Sequence, residues 1–503
     1  MGAAGGSNRG DVVAAVYTVA MGTDTSGETT SIFDAFLHRL RSGKAGLTRR
    51  SYVLFVGPCW LASGISFFYA VYGFGPWLVP FSAQFCDGYT TEARCTVLYP
   101  FAVGMVIIGI PLTLLPQHLP RLGVRKVYFS SLILTSLGVA LLGVAPDSGN
   151  QSLLWIGFSL CCGIGAGAMY LVVLTCNALW FKDIGKAGLG GGLMGMSCGL
   201  WGALSSLTAA PLENAFGLAG MLYFNAAVIF VTGLPATFLL TMPSEWPAAE
   251  AIIKSIEVEV SSQANAPASA EPNAPTSSKP ADPPSTPLLT TSELLGSRRF
   301  WLQWLTFVAA FLPGFGIKFL VGTLLDALYQ ADRSVQDISS FIYIGIYAIA
   351  RLGAGLSVGP KWPPKTLFLC ALSVQSVLLL ATAAAVNWSA GGNDFQEYVF
   401  VSLITLVGIT LAVTKVTFPL MIIYSFGPKN FAVASGGFFS AFCLAAGLGP
   451  ISAYLTLAAG GSTGSTGSRT VNQQHGAAYW LVICSALSGL AALRTKLYTD
   501  QAA

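Results

Sequence analysis

Residues 339–359 read SSFIYIGIYAIARLGAGLSVG. The run is as long as the roughly 20 residues a helix needs to cross a bilayer, yet it holds a permanently charged guanidinium, Arg351. What that arginine is for depends on the chain around it. Of 503 residues, 53% are hydrophobic and only 10% are charged, with a mean hydropathy of +0.65. Soluble domains carry about a quarter charged residues. Apolar runs of spanning length recur from Tyr52 to the C-terminus, so the chain reads as an all-α polytopic membrane protein.

Twelve spans are expected. Six lie near 53–80, 96–115, 127–145, 153–180, 188–210 and 219–241; six more lie near 300–324, 338–359, 366–386, 398–424, 434–456 and 477–493. Between the two sets, PASAEPNAPTSSKPADPPSTP (267–287) is rich in Pro, Ala and Ser, the composition of a disordered linker. The expected organisation is an N-terminal tail at 1–50, a six-helix half at 51–241 and a linker at 242–298. A second six-helix half at 299–496 and a tail at 497–503 complete it.

Charge sets the orientation. Twenty Lys and Arg fall in the tails, the linker and the loops on one side, among them Arg49, Arg50, Arg121, Arg125, Lys182, Lys361 and Lys429. The opposite loops hold Arg94, Arg333 and Arg469. Both termini are therefore expected in the cytoplasm, and the plasma membrane is the expected location. The sequons at Asn150 and Asn387 fall on the outer side. Cys86 and Cys95 flank one outer loop and are either a loop disulfide or two unrelated cysteines. Three scattered histidines and no CxxC spacing offer no metal site, and nothing suggests a cofactor or nucleic-acid binding. VVAAVYTVAMG (12–22) lacks a basic flank, so no cleavable signal is expected. MGAAGGS misses the myristoylation pattern at Gly6. With no Walker A motif, an ATP-driven pump is not indicated.

Three basic residues remain inside expected spans: Lys318, Arg351 and Lys415. No Asp or Glu lies deep in any span; Asp326 and Asp337 sit at span ends. Buried charge costs several kcal/mol, and unpaired like charges need water or a negative ligand. The simplest compensator is a carboxylate, which Arg meets with a planar fork and Lys with a movable point charge. The structural alternatives are snorkelling of Lys318 to the interface and carbonyl contacts at Arg351 or Lys415. Small residues also recur at four-residue spacing: Gly191, Gly195, Gly199 and Ala203; Gly437, Ala441, Ala445 and Gly449; Gly163 and Gly167. Such faces let helices approach closely, either for tight packing or for rocking of two halves.

Several stretches resemble the major facilitator superfamily, and within it the oxalate/formate antiporter branch that neighbours the monocarboxylate transporters. They are YGFGPWLVPFSAQF (72–85), NALWFKDIGKAGLGGGLMGMSCGLWGA (177–203), RRFWLQWLTFVAAFLPGFGI (298–317) and YSFGPKNFAVASGGFFSAFCLAAGLGP (424–450). The resemblance implies a central cavity between two six-helix halves, with Arg351 at the position of a carboxylate-binding arginine. Tyr69, Tyr72 and Tyr170 match tyrosines that line such cavities, each also readable as core packing. Departures from the pattern matter. Pro120 stands where the loop after the second span usually has Asp, and Phe442 stands near the oxalate-type lysine, which Lys415 could replace. Tyr347 replaces the acid one turn before the arginine, and the first span has no Lys, so proton symport by that route is not expected.

The expected function is transport, not enzyme chemistry: a secondary transporter or facilitator of a small organic anion, a mono- or dicarboxylate, working as a monomer by exchange, facilitated diffusion or another coupling. The alternatives are a carrier of a neutral or zwitterionic nutrient such as an amino acid or vitamin, and a transporter-shaped receptor acting through the linker.

Overall fold

The protein is seen in a computed structural model that describes residues 49–85, 91–116, 118–184, 186–240, 242, 290–359, 361–388, 394–426, 430–460 and 466–500. It divides into two compact units, residues 57–240 with 277–503 and residues 1–56 with 241–276. Of the smaller unit, the described part is chiefly the helix Arg49–Phe55. Cys86, the Cys95 side chain and residues 243–289 of the expected linker lie outside the described residues.

In the larger unit every described regular element is helical, as lipid requires when each backbone group must be bonded internally. α1 runs as Gly57–Gly64 and Phe68–Phe85, and α2 as Thr91–Ile107 continued by Gly109–Leu114. α3 is Val124–Ser148. α4 passes from Ser152–Leu154 through a π-helical stretch, Trp155–Cys162, into Gly163–Asp183. A single 53-residue stretch, Ala187–Leu239, follows. At 1.5 Å per residue it would measure about 80 Å, far beyond a hydrocarbon core of about 30 Å. It breaks at Gly217 (φ 70°, ψ 175°), a conformation open to glycine, into α5 (187–216) and α6 (218–239). The second set is α7 Arg298–Tyr329, α8 Arg333–Ser357, α9 Pro364–Trp388, α10 Asp394–Phe426, α11 Phe431–Gly460 and α12 Thr466–Asp500.

By length and hydropathy ten described helices qualify as spans. That count takes α5 and α6 together and omits α1, whose two pieces are interrupted; restoring both gives the expected twelve. The interruption in α1 is specific. Phe68, Tyr69 and Ala70 donate three residues back, to Ile65, Ser66 and Phe67, and the buried Ser66 hydroxyl donates to the Ile229 carbonyl of α6 at 3.3 Å. Thr291–Gly296, within the stretch read as linker, is a short helix closed by a capping box between Thr290 and Glu293.

Two seams join the first six helices to the last six, and close contacts of glycine with backbone run along both. Between α5 and α8, a β-carbon on Gly188 would lie 2.6 Å from the Gly355 carbonyl oxygen, and one on Gly192 3.2 Å from the Arg351 carbonyl oxygen. Gly195 faces the Arg351 side chain and Gly199 faces Ala348. Between α2 and α11, a β-carbon on Gly436 would come within 3.0 Å of the Leu112 carbonyl oxygen, and one on Gly447 within 2.7 Å of that of Ala102. Gly109 faces Ser440 and Cys443, and the Thr113 hydroxyl donates across to Gly436 at 3.0 Å. The small residues singled out by four-residue spacing are only partly in these seams. Gly195 and Gly199 are; Gly191 has open space beside it; Gly437 and Gly449 face α7, and Gly163 and Gly167 face α2.

Candidate functional site

Lys318, Arg351 and Lys415 come from α7, α8 and α10, and the fold brings them to one place. Their exposures are 4%, 7% and 5%. Lys318 therefore does not snorkel. All three cations surround one ring: the Tyr347 centroid is 4.4 Å from Lys318 Nζ, 5.2 Å from Lys415 Nζ and 5.6 Å from Arg351 Cζ. Lys318 Nζ also sits 2.8 Å above the Tyr72 ring, and Lys415 Nζ sits 3.9 Å from Phe315 and 4.8 Å from Phe442. One arginine nitrogen, Nη1, donates to the Tyr347 hydroxyl at 3.4 Å. Arg351 Nε and both lysine nitrogens have no hydrogen-bond partner among the described residues.

Local sequence explains the convergence. Gly195 is the only residue type that leaves room for the guanidinium against α5, and Gly202 does the same for Tyr72, whose β-carbon would be 2.6 Å from one added to the glycine. α7 departs from helical geometry at Leu320 (φ −119°, ψ 15°), two turns past Pro313 and beside Lys318. Where Phe319 follows, a β-carbon on Gly75 of α1 would lie 2.9 Å from its carbonyl oxygen, so α1 and α7 cross tightly.

Beyond that crossing the bundle is latched. Arg333 Nη2 donates to the Pro76 carbonyl at 2.8 Å, stands 3.7 Å from Glu213, and Nε bonds Asp337 at 3.2 Å. On the other side of the cation cluster a cavity of about 50 Å³ opens. Arg351 and Lys415 line it; Lys318 does not. Its walls include Tyr170, Asn177, Phe418 and Phe442.

The sequence-derived residues thus separate. Arg351, Lys415 and Tyr170 face the cavity, while Lys318 and Tyr72 form a stacked pair beside it. Tyr69 points elsewhere: its hydroxyl lies 2.6 Å from Thr208 Oγ1 and its ring packs edge-on against Trp201 at 6.1 Å. Two contributors were not named from sequence. In the sequence Tyr347 reads only as the replacement of an acid, although one turn of helix places it beside Arg351. Asn177 stood within a quoted motif, but nothing in its spacing marks its side chain as cavity-facing.

Burial and mutual repulsion make this a costly place for three positive charges. Cation–π contacts of about 0.5–2 kcal/mol each do not offset the several kcal/mol of burying each unpaired cation, and no carboxylate pairs with any of the three among the described residues. The arrangement can hold an anion.

Comparison with known proteins agrees with the helical fold. The profile described as Major Facilitator Superfamily matches residues 60–450. An uncharacterised MFS-type transporter of Escherichia coli strain K12, YhjX, is 22% identical over 344 residues, covering 68% of this chain and 75% of that protein.

Proposed function

The chain belongs to the major facilitator superfamily, whose work is secondary transport across a membrane, and from that premise we propose that its cargo is a small organic anion, a mono- or dicarboxylate, moved by alternating access. The observation that supports this reading is the meeting of Lys318, Arg351 and Lys415 around the Tyr347 ring with no carboxylate among them. Arg351 binds the carboxylate through its fork, Lys415 closes on it from α10, and Tyr170 borders it. Resemblance of the 177–203 and 424–450 stretches to the oxalate/formate antiporter branch supports exchange as the mode of transport. Tyr347 in place of an acid argues against proton symport through that position. The distribution of basic residues supports both termini in the cytoplasm, and a monomer in the plasma membrane is the form proposed.

Purified protein in liposomes loaded with unlabelled carboxylate should take up labelled carboxylate. Arg351→Ala should abolish that uptake, and Arg351→Lys should lower it at least about tenfold, because one ammonium cannot reproduce a bidentate pair. Uptake by Arg351→Ala equal to wild type removes the anion-binding role. Uptake of an amino acid that no mono- or dicarboxylate inhibits would assign the protein to neutral or zwitterionic cargo instead.

A further inference from the structure

The cavity has a second polar element besides its cations. Asn177 on α4 is 4% exposed and lines the same space as Arg351 and Lys415. Its Oδ1 has no hydrogen-bond partner among the described residues, and its Nδ2 meets only the Met194 sulfur at 3.8 Å. A buried amide left in this state costs about 1–3 kcal/mol, and a thioether sulfur is a weak acceptor. Among the other buried side-chain amides, Gln375 is satisfied three ways, by Ala310, Ser488 and Thr410; Asn225 on α6 also has an Oδ1 with no partner among the described residues, but it does not line this cavity. Asn177 is therefore placed for something that enters the cavity.

Its position relative to the cations can be read along the helices. Tyr170, Leu174 and Asn177 line the cavity at i, i+4 and i+7, one face of α4. On α5, Gly195 faces the Arg351 guanidinium, and Gly191, one turn nearer the Lys186 end, lines the cavity. One turn is about 5–6 Å. The same cavity has apolar wall from Leu174, Val416, Phe418 and Phe439.

We infer that Asn177 is a specificity-determining residue that hydrogen-bonds an uncharged polar group at the far end of the anion. The substrate class is then a short carboxylate with a hydroxyl, keto or amide group set off by an apolar segment of a few carbons. This rests on the anion reading above and adds to it a requirement at the other end of the molecule. The amide offers both a donor and an acceptor, so either kind of group is served.

The test uses the full-length protein in liposomes and two matched probes, propanoate and 3-hydroxypropanoate, with inhibition constants against a common labelled carboxylate. Wild type should prefer the hydroxylated acid about fivefold to tenfold, the worth of one neutral hydrogen bond. Asn177→Leu should erase that preference while leaving the inhibition constant of propanoate within about twofold. Asn177→Ser, which keeps a small hydrogen-bonding group, should retain part of it and controls for folding. Equal inhibition by both acids in wild type, or an unchanged preference in Asn177→Leu, overturns the inference while leaving the anion reading standing. Failure of every carboxylate to enter or inhibit removes both. Loss of propanoate inhibition in Asn177→Leu, with Asn177→Ser active, would make Asn177 part of the carboxylate's own seat and also overturns it.

Discussion

The Arg351 guanidinium occupies the space that a side chain at Gly195 would need: a β-carbon there would lie 2.6 Å from Cζ. The arginine's direction is thus set from a different helix, across the seam between α5 and α8. Gly195→Ala should displace the fork by about an ångström and lower carboxylate uptake ten- to a hundredfold at equal membrane abundance. Gly353→Ala on α8, with nothing within 4 Å, should leave uptake near wild type. Normal uptake by Gly195→Ala would show that the guanidinium has other room.

Tyr347 presents one ring to three cations, and the ring should matter more than its hydroxyl. Tyr347→Phe keeps the aromatic face and loses the hydroxyl's 3.4 Å bond from Arg351 Nη1 and its contact with Tyr72, so its apparent melting midpoint in detergent should shift by no more than about 2 °C. Tyr347→Leu removes three cation–π contacts worth about 0.5–1 kcal/mol each and should melt several degrees lower. Identical midpoints would show that the cations do not depend on the ring.

The two lysines should behave differently. Lys415 lines the cavity, so Lys415→Met should raise KM for carboxylate uptake about tenfold. Lys318 stands against Tyr72 outside the cavity, where it adds like charge to a buried cluster. Removing an uncompensated buried charge stabilises; Lys318→Met should raise the melting midpoint by about 2–4 °C. A lowered midpoint would mean that its aromatic contacts outweigh the repulsion.

Arg333 joins α8 to α1 through Pro76 and to the end of α5 through Glu213. Side chains of Arg333 and Glu213 are each 31% exposed, so the ion pair is worth at most about 1 kcal/mol. Arg333→Gln should raise the thiol-labelling rate of a cysteine placed at Thr323, which is 3% exposed, by about two- to fivefold. An unchanged rate would show that closure at this end belongs to the Gly75–Phe319 crossing.

The twelve spans and the three unpaired cations were legible because hydropathy and charge act residue by residue. The seams were less so, for a geometrical reason. Positions 191, 195, 199 and 203 advance by four each time, and at 100° per residue that row drifts about 120° around the helix. The row in contact, 188, 192, 195 and 199, alternates four, three and four and drifts only about 20°. The same alternation appears on α11 at 436, 440, 443 and 447. Tyr69 and Tyr72, three residues apart on a helix interrupted just before them, face Thr208 and Lys318 respectively; no periodicity in the sequence distinguishes them. Asn177 was hidden for the same kind of reason, since an orphaned amide is recognised by what surrounds it.

The two seams also have a mechanical consequence. Where Gly188 meets Gly355 and Gly447 meets Ala102, the nearest atom across the seam is a backbone carbonyl oxygen, closer than the flanking Val358 and Val106 side chains. Such surfaces act as bearings. Rotation there meets backbone rather than interlocked bulky side chains, while the Arg333 contacts and the Gly75–Phe319 crossing brace one end of the same bundle.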